Sequence, residues 1–195
     1  MATPTKEQPI VLDTSQVEES IARQARYLSS QELARAGAAA LNRAGRAARV
    51  AGSKAVRKQI RLRASDVKDR IETERATPGN LRFIVRFDYN PLPLHLFGNP
   101  TQTSRGFAVT IKRGGSRTRI PQGFIVDRYG GAAFMRSRAD SGDRLVPRGP
   151  LRGLLGPSIG SQLEEARPAM EARATEVLGR RLAHEIGRRV ERANR

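Results

Sequence analysis

Histidine and cysteine do most protein chemistry near neutral pH, and this chain has almost none of either. It holds two histidines, His95 and His184, and no cysteine. The absence of cysteine excludes a thiol nucleophile, a disulfide framework, a Cys-ligated zinc and an iron–sulfur cluster. Two histidines are too few for most His-built metal sites and make a Ser-His-Asp triad a poor fit. His95 lies between Leu94 and Leu96, the setting of a packed or edge residue rather than a base. His184, beside Glu185 and near Arg181, reads as part of a solvated helix face. There is no Walker-type phosphate loop, no HExxH and no pair of carboxylates within one apolar motif. Tyr27, Tyr89 and Tyr129 are too scattered to form a base-stacking platform. No catalytic residues, metal or cofactor are expected.

Arginine is what the chain has in abundance. Of its 195 residues 36 are Lys or Arg and 19 are Asp or Glu, a net charge of +17. An excess of that size points to an anionic partner, nucleic acid or the acidic face of an assembly. The excess is not in a tail. Residues 1–34 are slightly acidic, residues 35–70 hold 11 basic side chains against 2 acidic ones, and residues 71–157 hold 14 against 6. At ~100° per residue, Leu33, Gly37, Ala40, Leu41, Ala44, Ala47, Ala48, Ala51 and Ala55 fall on about one third of a helix. Arg35, Arg43, Arg46, Arg49, Arg57 and Arg61 fall on the far side. These arginines are candidate contacts to DNA or to an acidic partner; the alternative is a merely solvated face. The opposite stripe of Ala and Gly buries little area per residue, so it needs a close partner. Ala40, Leu41, Ala44 and Ala48 are therefore candidate subunit contacts, if the stripe does not pack within its own domain.

The surrounding elements predict an α+β fold in one structural domain. Residues 1–14 are polar and expected to be flexible. Residues 15–75 form a helical region with a break near Ser29-Ser30, the basic helix over 31–63 and a short helix from Ser65 to about Thr73. Residues 80–136 form a small, mostly antiparallel β-sheet or sandwich core. It begins with the alternating strand Leu81–Phe87 and includes strands over 105–112, 118–121, 124–127 and 132–136. Pro91–Leu94 reads as extended, and Gly130-Gly131 as the link between the last two strands. Residues 137–158 form a basic, Gly/Pro-rich loop expected to reach a neighbouring subunit or ring through Arg138, Arg144, Arg148, Leu154 and Leu155. Residues 159–193 form a long amphipathic helix whose apolar positions, Leu163, Ala166, Met170, Ala174, Val177, Leu178, Leu182, Ile186 and Val190, step by three and four. No segment has the ~20 apolar residues of a membrane span, and the N-terminus lacks the apolar core of a signal peptide. A soluble protein in a reducing compartment is expected.

Four segments resemble the minor tail protein Z family of lambda-like bacteriophages and prophages. They are Ala40-Leu41-Asn42-Arg43-Ala44 with the small and basic helix after it, and Pro91-Leu-Pro-Leu-His-Leu-Phe97. The third runs from Gly106-Phe-Ala-Val-Thr110 through Arg119-Ile-Pro and Gly123-Phe-Ile125 to Phe134-Met-Arg136. The last is Arg144-Leu-Val-Pro147 with Leu154-Leu-Gly-Pro-Ser158. The resemblance implies a structural virion protein and no enzyme, placed at the head-proximal end of a long non-contractile tail and assembled in the bacterial host cytoplasm. It implies a self-assembled ring, expected to be hexameric, whose partners are the tail terminator and neck or connector proteins, with the genomic DNA end in the lumen. The composition alone leaves a second reading open, a sequence-independent nucleic-acid-binding protein of host or prophage.

Overall fold

The computed structural model describes residues 10–12, 28–136 and 150–193. Its elements, in chain order, are β1 (Ile10–Leu12), α1 (Ser30–Gln59), α2 (Ala64–Lys68), β2 (Ile71–Glu74), β3 (Phe83–Phe87), β4 (Thr101–Thr103), β5 (Gly106–Val109), β6 (Thr118–Ile120), β7 (Phe124–Val126), β8 (Ala132–Arg136), β9 (Leu151–Gly153), α3 (Gly160–Glu165) and α4 (Arg167–Ala193). The fold is α+β. The strands make three small antiparallel sheets, ordered β1-β3-β2, β4-β5-β6 and β7-β8-β9, rather than one sheet or sandwich.

The break at Ser29-Ser30 is the start of α1. Ser29 Oγ accepts from the Glu32 backbone N–H at 3.3 Å, and Glu32 Oε2 accepts from the Ser29 backbone N–H at 3.4 Å. This reciprocal capping satisfies two of the donors that a helix start leaves orphaned. From there α1 runs for 30 residues along α4. The pairing is asymmetric. α1 contributes Ala36, Ala40, Leu41, Ala44 and Ala48, each fully buried, and α4 contributes Met170, Ala174, Val177, Leu178, Leu182 and Ile186. Small side chains on one helix let the larger ones of the other reach its backbone. Two glycines outside the Ala stripe carry this furthest. A Cβ at Gly52 would lie 2.5 Å from Met170 Sδ, and one at Gly45 would overlap the Phe83 ring. α1 is thus packed on two sides, by α4 and by the β3 sheet.

Several expectations change. The N-terminal segment contributes a strand: Ile10, 3 % exposed, pairs with Val85 on the edge of β3. The short helix expected to reach Thr73 stops at Lys68, because Ile71–Glu74 pairs with β3 and buries Ile71. The expected extended run Pro91–Leu94 stops at Pro93, because Leu94–Leu96 winds into a 3-10 turn. Within the expected 137–158 loop, Leu151–Gly153 pairs with β8. The C-terminal helix is two helices, since Pro168, without an N–H, cannot continue α3 but fits the first turn of α4. Gly130 and Gly131 do link β7 to β8, at φ 66° and 78°. The helix expected from Ser15 lies largely outside the described residues.

Side chains fasten these layers. Asn42 grips the peptide of Ala76 at both ends, donating to its carbonyl at 2.9 Å and accepting from its N–H at 3.1 Å. Asp88 accepts from the Asn90 N–H at 2.8 Å and pairs with Arg70. Glu164 accepts from Tyr89 Oη at 2.7 Å and from Arg167 Nε at 2.8 Å. Burial pushes both carboxyls up. The Asn90 N–H and Arg70 outweigh it at Asp88, and Tyr89 and Arg167 outweigh it at Glu164, so both lie below their ordinary values.

Two predictions follow from this packing. Gly45→Ala should destabilise by about 1–3 kcal/mol through overpacking against Phe83. Gly179→Ala on α4, where a Cβ meets nothing within 4 Å, should stabilise by about 0.5–1 kcal/mol through helix propensity. Denaturant titration of both variants checks this reversal of sign. The second concerns pH. Carboxyls with lowered folded pKa values bind fewer protons folded than unfolded, so their stabilisation is complete above the ordinary carboxylate range and is lost as pH falls through the folded values. Between pH 7 and pH 3 the wild-type protein should therefore lose more stability than an Asp88→Asn/Glu164→Gln variant, measured by urea unfolding at each pH.

Candidate nucleic-acid and partner interface

The exposed side of α1 carries its cations. Arg35, Arg46 and Arg57 recur every eleven residues, close to three helical turns, so they stack in one row at intervals of about 16 Å. Arg43 and Lys54, also eleven apart, form a second row beside it. Arg35, Arg43, Arg46, Lys54 and Lys58 are exposed; Arg49 and Arg57 are half-buried. Among the described residues, no Arg or Lys of α1 pairs with a carboxylate. The ion pairs lie elsewhere, between β2 and β3 and above all along α3 and α4, where Glu164, Glu176 and Glu185 hold Arg167, Arg173, Arg180, Arg188 and Arg189. The two long helices therefore differ electrostatically. α4 pairs most of its arginines with glutamates, and α1 pairs none of its cations with a carboxylate among the described residues.

Not all of the α1 arginines are equally free. Arg49 Nη2 donates to the Lys68 carbonyl at 2.5 Å and ties α2 to α1, while Arg46 Nε donates to its own helix at Asn42 O, 3.0 Å away. Arg61 is not on the helix at all. Residues 60–62 leave α1 as an extended segment that pairs with residues 111–113. Ile60 bridges Lys112, the Arg61 N–H donates to Ile111 O at 2.9 Å, and the Arg113 N–H donates to Gln59 O at 2.8 Å.

That pairing creates a site which the sequence reading missed. Arg61 and Arg63 from the exit of α1, Arg113 from the β5–β6 connection and His95 from the 3-10 turn line one open cleft of about 780 Å³. Arg113 Nε donates to the Arg57 carbonyl at 2.5 Å, satisfying a free carbonyl at the end of α1. His95 Nδ1 is buried without a hydrogen-bond partner. Burial lowers the imidazole pKa, against the opposing pull of Asp66, so the ring is neutral at pH 7. Four residues separated by up to 52 positions carry no shared motif, and only the isolated density of arginine near 61–63 could have signalled them.

The candidate subunit contacts divide. Ala40, Leu41, Ala44 and Ala48 have no exposed surface; they pack inside the subunit, so they are corrected from interface to core residues. Leu154 is also buried, with its backbone bonded to Ala133 and Leu94, whereas Leu155 is 59 % exposed and Leu151 beside it 44 %. Arg138, Arg144 and Arg148 lie outside the described residues. Among the described residues no group of three or more His, Asp or Glu side chains could hold a metal ion, and no helix is long and apolar enough to cross a membrane.

A family model for prophage minor tail protein Z matches residues 17–193. The chain belongs to that family. It is a structural protein of a phage tail, and the match spans every described element except β1. Comparison with curated proteins and with solved structures finds no match.

The hydrogen bonds distinguish two arginines of the same face. Arg49→Gln should cost about 1 kcal/mol, because it removes a charge-assisted bond to a backbone carbonyl. Arg43→Gln, exposed and uncompensated, should change stability by less than about 0.5 kcal/mol. Thermal unfolding of the two variants tests the difference.

Proposed function

We propose that the chain completes the head-proximal end of a long non-contractile tail as a ring of identical subunits, hexameric by the symmetry of such tails. The ring joins the finished tail to the filled head and helps to place the DNA end. The protein acts by binding alone, without catalysis, cofactor or membrane, and its partners are its own copies, the tail terminator and the neck or connector proteins. The observation that carries this reading is the uncompensated face of Arg35, Arg43 and Arg46 on a family member whose other long helix pairs most of its arginines with glutamates. A face of six or more cations on every subunit repels its copies unless an anionic surface lies against it. Exposed Leu151 and Leu155 add an apolar element suited to a neighbouring subunit.

The same cations also suit a sequence-independent nucleic-acid binder, and one experiment separates the two. Replacing Arg35, Arg43 and Arg46 together by Gln should leave the fold intact and lower head–tail joining in an extract at least tenfold. Wild-type joining by this variant would overturn the assignment of the α1 face to assembly. Unchanged joining with a weakened, sequence-independent DNA affinity would favour the nucleic-acid binder instead.

A further inference from the structure

We infer that the cleft at the exit of α1 is a phosphate-binding site for a nucleic-acid backbone, with Arg61, Arg63 and Arg113 as its ligands. It rests on the proposed function only in naming where the DNA contact is made; the site itself stands on its own geometry.

Three guanidinium groups from two separate backbone segments line one hollow, and none of them pairs with a carboxylate among the described residues. Guanidinium is a planar fork that meets phosphate oxygens two at a time, and it sheds its water more readily than an ammonium. Arg113 is held in place by its Nε on the Arg57 carbonyl, and its two terminal nitrogens make no hydrogen bond to the described residues. Arg61 is also held. A Cβ at Gly98 would lie 2.7 Å from both Arg61 Cβ and Cδ, so the Arg61 stem lies flat against the bare backbone of the opposite wall. Groups fixed before the ligand arrives lose less entropy on binding. His95, whose buried Nδ1 has no hydrogen-bond partner, lies in the same wall.

The cleft suits phosphates better than an acidic protein segment. The apolar residues of its lining, Leu62, Leu96, Phe97 and Ile125, are buried or half-buried, and none of the large exposed apolar side chains, Val50, Tyr129, Leu151 and Leu155, is among them, so a protein partner would find little to grip there. At about 780 Å³ it is far larger than one phosphate ion and open enough for successive phosphates of a strand.

The test is fluorescence anisotropy of the full chain with a 20-base-pair duplex, in two unrelated sequences, across a salt series. Arg61→Gln/Arg63→Gln removes two exposed side chains that form no bond in the fold. It should weaken binding of both duplexes at least tenfold in low salt and reduce the log–log salt slope by about 1.8, at about 0.9 per phosphate contact. Gly98→Ala, which displaces Arg61 without changing charge, should reduce the slope by about 0.9, and Gly79→Ala, where a Cβ meets nothing, should leave it unchanged. Circular dichroism checks that each variant is folded; if the double variant is not, Gly98→Ala and the single Arg61→Gln decide. Unchanged slopes in the folded variants would overturn the site. So would a glutamate-rich decapeptide that binds through these arginines when the duplex does not, since the cleft would then be a protein-docking site. Neither outcome bears on head–tail joining, which is read with the α1 variant, so the two proposals fail separately.

Discussion

The close approach of α1 to both of its neighbours is the constraint on which the rest of this molecule depends. A helix of 30 residues rich in Ala and Gly buries little area per side chain, so its stability must come from what reaches it. Met170 and Leu163 reach the backbone over Gly52 on one side, and Phe83 reaches it over Gly45 on the other. Side chains of ordinary size at those two positions would hold the C-terminal helices and the first sheet away from α1. The position of β3, the Asn42 clamp on Ala76 and the Tyr89–Glu164 bond that joins the sheet to α3 all assume that spacing.

Burying α1 on two sides confines its charges to what remains. Its arginines and lysines occupy the narrow exposed sector, close enough to repel one another, with no carboxylate brought alongside. α4 meets the same problem locally, with Glu three or four residues from Arg along its own surface. The exposed pair Arg173–Glu176 contributes little stability, and the pairs together offset part of the charge of α4. The uncompensated charge of the two long helices is therefore directional, lying on α1 and around its exit rather than on α4.

The exit of α1 is where helix and sheet exchange partners. Gln59 and Ile60 end the helix by pairing with the chain that leaves β5, and that short ladder supplies hydrogen bonds a helix end would otherwise lack. It also turns Arg61 and Arg63 away from the α1 face and toward Arg113. The cationic surface thus divides into a row along the helix and a cluster at its end, with different geometries for an anionic partner.

Much of this was legible in the sequence, and the limit has a physical cause. Short-range periodicity located α1, the buried alternation of Phe83, Val85 and Phe87, and the apolar stripe from Leu163 to Ile186, because side-chain direction repeats with a local period in helix and strand. The four resembling segments carried the family. Periodicity also placed Ala44 and Ala48 on a buried face, but it could not say whether the face was buried by the subunit or by its neighbour; the fold decided that by placing α4 there. Gly45 and Gly52 read as weak points of a helix until Phe83 and Met170 are seen above them. Arg61 read as the last turn of the basic face because nothing near it in the chain stops a helix, and its true position depends on Ile111, fifty residues later. β1, β2 and β9 are only three or four residues long, too short to show a period, and exist because β3 and β8 offer them an edge. Local sequence determined which residues share a face of one element. What each face meets, and which cations converge, depended on contacts between residues far apart in the chain, which only the closed tertiary structure brings together.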